Sequence, residues 1–198
     1  MTFARANNIL LTGIILLNSF VIVMPVVPFV SFYLPSNNSV KQHLTQKISS
    51  QQNDDQITST PKTNTLIAPA MLLEQPILEG NNTYAILDQG ILRWPASSTP
   101  DKGGNTVLLA HRFTYTQPKG SFYYLDKLKV GDAVGVAWRG VMYHYTITET
   151  KVIEPNATDI LANTDTPRLT LFTCTPLAWP KDRLVVIAEP VKQSGDKP

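Results

Sequence analysis

The chain has 198 residues, a formal net charge of +2 and a single cysteine. That length suits one ordinary domain with appendages, and its 17 basic and 15 acidic residues are scattered, so no basic stripe points to nucleic acid. One cysteine and three dispersed histidines offer no cluster at zinc spacing, no phosphate-cradling glycine loop is present, and neither a metal nor another cofactor is expected.

Residues 1–35 read as a membrane anchor. No charged residue occurs between Ala6 and Val40, and the stretch from Ile9 to Leu34 is dominated by Ile, Leu, Val, Phe and Met. About 20 apolar residues suffice for a helix to cross a bilayer; Pro25 and Pro28 would kink or shorten it. Arg5 precedes the run, and Lys41 and Lys47 follow it, so the positive-inside signal is weak and slightly contrary. The rival reading is a cleaved signal peptide, whose apolar region usually runs about 7–15 residues before an Ala-x-Ala-like site. This run is longer and lacks such a site. The expectation is an uncleaved single span with a cytoplasmic N-terminus. Residues 36–65, rich in Ser, Thr, Asn, Gln and Lys, have too little apolar surface to offset chain entropy and read as a flexible polar tether. His43 falls there, as a solvated side chain. Sequons at Asn37, Asn81 and Asn156 matter only in a glycosylating secretory pathway.

Residues 66–198 form the folded domain, with short apolar segments separated by turn signals. Candidate strands are Tyr84–Leu87, Ile91–Trp94, Thr106–His111, Ala133–Trp138, Val141–Thr148, Lys151–Ile153, Arg168–Cys174 and Arg183–Ala188. Arg139-Gly140 closes a hairpin, and single helical turns are expected near Leu125–Leu128 and Thr158–Leu161. Many short strands with few helices predict an all-β barrel or sandwich.

Three chemically capable side chains fall at ends of these strands: His111, Cys174 and Arg183. A free cysteine often serves as a small buried hydrophobe. Here strand alternation puts Leu169, Leu171 and Thr173 on one face and Thr170, Phe172 and Cys174 on the other. Thr175-Pro176 then ends the strand, leaving the thiol at a barrel mouth or cleft. Arg183 would stabilise a thiolate if the two strands pair; a surface arginine in the charged turn Lys181-Asp182-Arg183 is the plain alternative. Arg112, Arg168 and Arg93 compete for an anion-binding role. His111 shares its face with Val107 and Leu109, which look core-facing, whereas His144 reads as an ordinary side chain on a polar face.

The segment Leu169-Thr-Leu-Phe-Thr-Cys174 resembles the TLxTC signature of sortases, the membrane-anchored cysteine transpeptidases of Gram-positive-type bacterial surfaces. Arg183-Leu-Val-Val resembles that family's arginine-led final strand. Gly104-Asn-Thr-Val-Leu-Leu-Ala-His111-Arg112 resembles its histidine segment, with Ala110 where many members have Gly. Leu125-Asp-Lys-Leu-Lys-Val-Gly131-Asp132 is similar to the family's L-x-x-L-x-x-G-D stretch, and Gly90-Ile-Leu-Arg-Trp-Pro95 to the strand leading into the histidine loop. The run His111-Arg-Phe-Thr-Tyr115 is similar to class E enzymes, which often prefer Ala to Pro at the second position of the sorting signal; class D also fits. There is no aromatic-acidic lid motif of the pilus-building kind.

The resemblance implies a closed, mostly antiparallel barrel of about eight strands. It implies cleavage of an LPxTG- or LAxTG-type signal between Thr and Gly, with Cys174 as nucleophile, His111 as general acid and base, Arg183 at the oxyanion or peptide, and Thr173 holding the substrate or the oxyanion. The implied partners are secreted proteins carrying a C-terminal sorting signal and an amine acceptor, such as a cell-wall precursor or a pilin lysine. Two other readings stay open: an anchored barrel with an inert Cys174 that acts as a binding or scaffold module, and a hydrolytic cysteine protease.

Overall fold

The computed structural model describes residues 3–50, 61–114, 121–177 and 179–191. Eight strands close into a barrel: β1 (Thr65–Ala68), β2 (Leu73–Leu78), β3 (Ile91–Arg93), β4 (Asn105–Leu109), β5 (Ala133–Trp138), β6 (Val141–Ile153), β7 (Arg168–Thr175) and β8 (Asp182–Pro190). Around the barrel the order is β1-β2-β3-β4-β7-β8-β6-β5. Pairings β2–β3 and β4–β7 are parallel and the others antiparallel, which is the closed, mostly antiparallel architecture anticipated. Arg139 (φ 50°) and Gly140 (φ 81°) form the two-residue turn between β5 and β6, both at positive φ as a type I′ hairpin requires. Single 3-10 turns occupy Leu125–Lys127 and Asp159–Leu161, where one helical turn each was expected.

Several elements differ from the sequence reading. Tyr84–Leu87 is not a strand but most of a short helix, α4 (Thr83–Leu87). The Asn82 side chain accepts from Ala85 N at 3.2 Å and supplies the cap that decides between helix and strand for an apolar run this short. Strands β1 and β2 carry no alternating signal in sequence, because all four β1 residues are buried and Pro69 and Pro76 interrupt the pattern. The expected strands Val141–Thr148 and Lys151–Ile153 are one strand, β6, whose pairing with β8 shifts register between Ile147 and Glu149. Such a bulge flips the alternation that sequence reading follows.

The N-terminal run also divides. Helix α1 (Phe3–Val23) is long and apolar enough to cross a membrane. It ends at the Met24-Pro25 turn, and α2 (Val26–Phe32) follows. The flexible tether expected over residues 36–65 gives way, over its first half, to helix α3 (Asn37–Ser50). Leu44 and Ile48 of α3 are buried against Ile67, with Met142 beside them. Two apolar residues spaced four apart are enough for a helix to dock one stripe on a sheet, a signal lost in an average composition. His43 is exposed on this helix as anticipated, and residues 51–60 lie outside those described.

The barrel interior is filled by Leu66, Ile91, Leu108, Trp138, Leu169 and Leu171 among others, all at most 1% exposed. Tyr145 joins them at 2% exposure, and burial, helped by nearby Tyr143, pushes its phenol well above the usual range. Its contribution to stability is therefore whole below the unfolded-chain pKa of about 10. It declines as pH rises through and above that value, because only the unfolded chain ionises there. Tyr145→Phe is expected to flatten the alkaline limb of a stability-versus-pH curve measured by urea unfolding; an unchanged limb would count against this assignment.

Candidate active site on the outer barrel wall

Strands β4, β7 and β8 are neighbours, so their ends bring His111, Cys174 and Arg183 together. Cys174 is directly opposite Arg183 in the antiparallel β7–β8 register. In the parallel β4–β7 pair Leu109 is level with Phe172, and continuing by two residues sets His111 level with Cys174. A hydrogen bond shows that the alignment persists: Thr173 Oγ1 donates to the Ala110 carbonyl at 2.7 Å. Adjacent strands lie about 4.8 Å apart, so the three residues form one row across the wall.

The row faces outward. Leu108, Ala110, Leu169 and Leu171 line the interior, while Phe172 packs with Ile160, Val185 and Ile187 on the outer face. Val107, Leu109 and His111 therefore belong to the outer face, correcting the expectation that they face the core. The cause is that β4 is apolar on both sides: Val107 is 0% exposed although it lies on the outer wall. The thiol likewise faces outward, at the end of β7 as expected of it.

The cover over this outer face is fixed by one buried side chain. Asn105, 1% exposed, donates from Nδ2 to the carbonyls of Ile160 (2.9 Å) and Ala162 (3.0 Å). Its Oδ1 accepts from Thr170 Oγ1 at 2.7 Å, and its backbone N–H donates to Asn163 Oδ1 at 3.0 Å. Gly104 precedes it at φ 73°, and a Cβ there would sit 2.3 Å from Asn163 Oδ1. The loop between β6 and β7 is thus held against β4, and Ile160 and Leu161 sit beside Phe172 below the Cys174–Arg183 pair.

Of the four arginines considered for an anion role, the structure commits two elsewhere. Arg93 bonds Glu79 Oε1 through Nε at 2.7 Å and also serves the carbonyls of Trp94 and Ser97. Arg112 donates to Thr175 Oγ1 at 2.8 Å and pairs with Asp126 Oδ1 at 3.0 Å. Arg168 opens β7, at the opposite end from Cys174. Arg183 is half-buried, donates to its neighbour's carbonyl, Asp182 O, at 3.1 Å, and has no carboxylate at ion-pair distance among the described residues.

Thr173 is 2% exposed and its hydroxyl is spent on Ala110 O. That hydrogen bond ties β7 to the residue before His111. Asp88, at the end of α4, places Oδ1 3.7 Å from His111 Nε2. Sequence spacing gives no signal for it, because the apolar run before it reads as a strand and folds as α4. His144 lies on the outer face as alternation requires, but both its ring nitrogens are withdrawn from solvent. Trp179, in the turn between β7 and β8, is 90% exposed. Tyr115 of the His-Arg-x-Thr-Tyr segment lies outside the described residues. Among the described residues no group of His, Cys, Asp and Glu could hold a metal ion.

Residues 66–191 match the model of the Sortase domain family. The chain is 27% identical over 124 residues to Sortase A of Listeria monocytogenes, covering 63% of this chain and 54% of that protein. It is 29% identical over 112 residues to Sortase D of Bacillus subtilis, covering 56% and 53%; the chain thus spans about half the length of these curated relatives. The solved structure of the Listeria monocytogenes sortase A superposes with a TM-score of 0.57 at 25% identity, over 67% of this chain and 89% of that one. A Clostridium perfringens sortase D5 transpeptidase shares the fold with a TM-score of 0.58 at 23% identity, over 78% and 99%. A family model that matches residues 66–191, most of the chain, places this chain in the sortase family.

Proposed function

We propose that the chain is a membrane-anchored cysteine transpeptidase that cuts a C-terminal sorting signal of the LPxTG or LAxTG kind between Thr and Gly and passes the protein to an amine. The observation that carries this reading is the outward-facing row of His111, Cys174 and Arg183 across three adjacent strands. Residues 1–35 serve as a single-pass anchor with a cytoplasmic N-terminus, 36–65 as the connection and 66–198 as the catalytic domain on the extracytoplasmic side.

The chemistry follows from the row. The Cys174 thiolate attacks the carbonyl carbon of the signal's Thr, and the Arg183 guanidinium faces the oxygen as it gains charge. The tetrahedral species collapses, the Thr–Gly C–N bond breaks, and His111 gives its proton to the departing Gly amine. A thioester on Cys174 remains. An acceptor amine, on a cell-wall precursor or a pilin lysine, attacks the thioester and returns a proton to His111, restoring the thiolate. The acceptor's amine must compete with water, and the outer-wall location gives a large acceptor room to approach.

Thr173 supports this reaction at one remove. Thr173→Val keeps shape but deletes the donor to Ala110 O, leaving a buried carbonyl unpaired at a cost of about 1–3 kcal/mol. The expected result is lower thermal stability together with a fall in kcat, because the residue before His111 loses its clamp. Thr173→Ser should restore both. A variant destabilised by that amount with an unchanged kcat would assign Thr173 a purely structural role.

The test of the function is mass spectrometry of the full chain in detergent with LPxTG and LAxTG peptides and a glycine-terminated amine. A ligated product cut between Thr and Gly establishes the transpeptidase and ranks the signals. Cleavage without ligation favours a hydrolase, and folded protein with neither product nor acyl-enzyme favours the scaffold reading.

A further inference from the structure

Helix α1 has 21 residues, and at about 1.5 Å per residue it runs about 31 Å, the thickness of a bilayer's hydrocarbon core. A span of that length is used up at Val23, so the chain after Pro25 emerges at the level of the lipid headgroups. There α2 has two unlike faces. Its inner side is bolted to the barrel: Pro28 is buried, the Phe32 ring lies 4.6 Å from that of Tyr124, Tyr123 Oη donates to Pro25 O at 2.5 Å, and Tyr124 Oη donates to Pro28 O. Among the described residues nothing covers its other side. Val26, Val27 and Val30, with Leu34 just beyond the helix, are each about half exposed, at 49–57%.

The rim is chemically matched to an interface. Lys127 Nζ sits 5.5–5.7 Å from the ring centroids of Phe29, Phe32 and Tyr33, and Lys41 lines a cleft with Tyr33 and Leu34. Aromatic rings beside lysines suit the headgroup layer, where rings lie half in hydrocarbon and ammonium groups meet phosphate.

We propose that α2 lies in the headgroup layer and, through its inner face, seats the barrel directly on the bilayer. The proposal rests on the reading of α1 as a membrane span. The seat is close to the reaction row. Phe122 N donates to His111 O at 3.1 Å, and Arg112, next to His111, pairs with Asp126 while donating to Thr175, next to Cys174. The segment Phe122–Lys127 therefore touches α2 on one side and the reaction row on the other. An acyl donor or acceptor held in the same bilayer would meet this row in a thin layer, which raises its effective concentration.

The single native cysteine makes the test direct. In the full chain carrying Cys174→Ala, nitroxide labels are placed on one new cysteine at a time, Ile15→Cys or Val30→Cys, in phosphatidylcholine vesicles containing phosphatidylglycerol. Collisions with oxygen and with a water-soluble nickel chelate report depth. The expected result is an Ile15 label deep in hydrocarbon and a Val30 label at headgroup depth, its chelate collisions cut severalfold relative to the same label on free cysteine. A deep Ile15 label with a Val30 label as accessible as the free one would overturn the seat while leaving the span intact. Both labels accessible would remove the span and the seat together.

Discussion

Replacing Cys174 with alanine is expected to abolish both the thioester and the ligated product, lowering turnover by about 10⁴-fold or more, as loss of a nucleophile does in enzymes where the remaining groups cannot act alone. The fold should hardly notice. The side chain is half-buried at the end of β7, its backbone pairings with β8 are independent of the sulfur, and such a change at a strand end costs within about 1 kcal/mol. Equal melting curves for the two proteins are thus part of the prediction. Cys174→Ser is expected to be nearly as inactive, because a hydroxyl at neutral pH has almost no ionised fraction to attack with. The native thiol should also be alkylated by iodoacetamide in the folded protein, since it faces outward on the wall. Product formation that survives Cys174→Ala would remove the residue from the mechanism, and a folded protein that resists alkylation would make the thiol inert packing.

The parts of this site were legible in the sequence to different degrees, for physical reasons. His111, Cys174 and Arg183 stood at ends of apolar runs, and β7 and β8 were found nearly residue for residue because each is a long run bounded by Pro or charged turns. That these strands neighbour one another was not readable from spacing, since β4 joins β7 across more than sixty residues of chain. Which way the row faces was misread, because periodicity reports burial and not its cause. Val107, on the outer wall, is as buried as Leu108 is inside the barrel. The role of Thr173 was invisible for a related reason. A hydroxyl beside the candidate nucleophile reads as a substrate contact, and its link to a carbonyl sixty-three residues away leaves no trace in local spacing. The α3 dock was lost in a polar composition that only two residues, Leu44 and Ile48, contradict.

Arg183→Ala is expected to lower kcat by about 10²–10³-fold, the usual effect of losing one preorganised donor at a developing oxyanion. The argument is one of elimination and of geometry. Arg93 is engaged by Glu79 and two carbonyls, Arg112 by Asp126 and Thr175, and Arg168 is at the wrong end of β7. Arg183 is opposite Cys174 across one strand pair, and no carboxylate among the described residues neutralises it. A cation left unpaired beside a thiol is in place for charge that appears only during reaction, and interactions that strengthen in the transition state raise kcat rather than merely lowering KM. The split between the two constants is therefore the informative readout. Arg183→Lys keeps the charge but loses the planar fork and its spread of donors, so it should recover only part of the loss. Arg168→Ala, on the same strand but at its far end, should leave kcat within a small factor. A fall confined to KM in Arg183→Ala would make the residue a uniform peptide clamp. Equal losses in Arg183→Ala and Arg168→Ala would show that the effect travels through the sheet and not through a guanidinium at the reacting carbonyl.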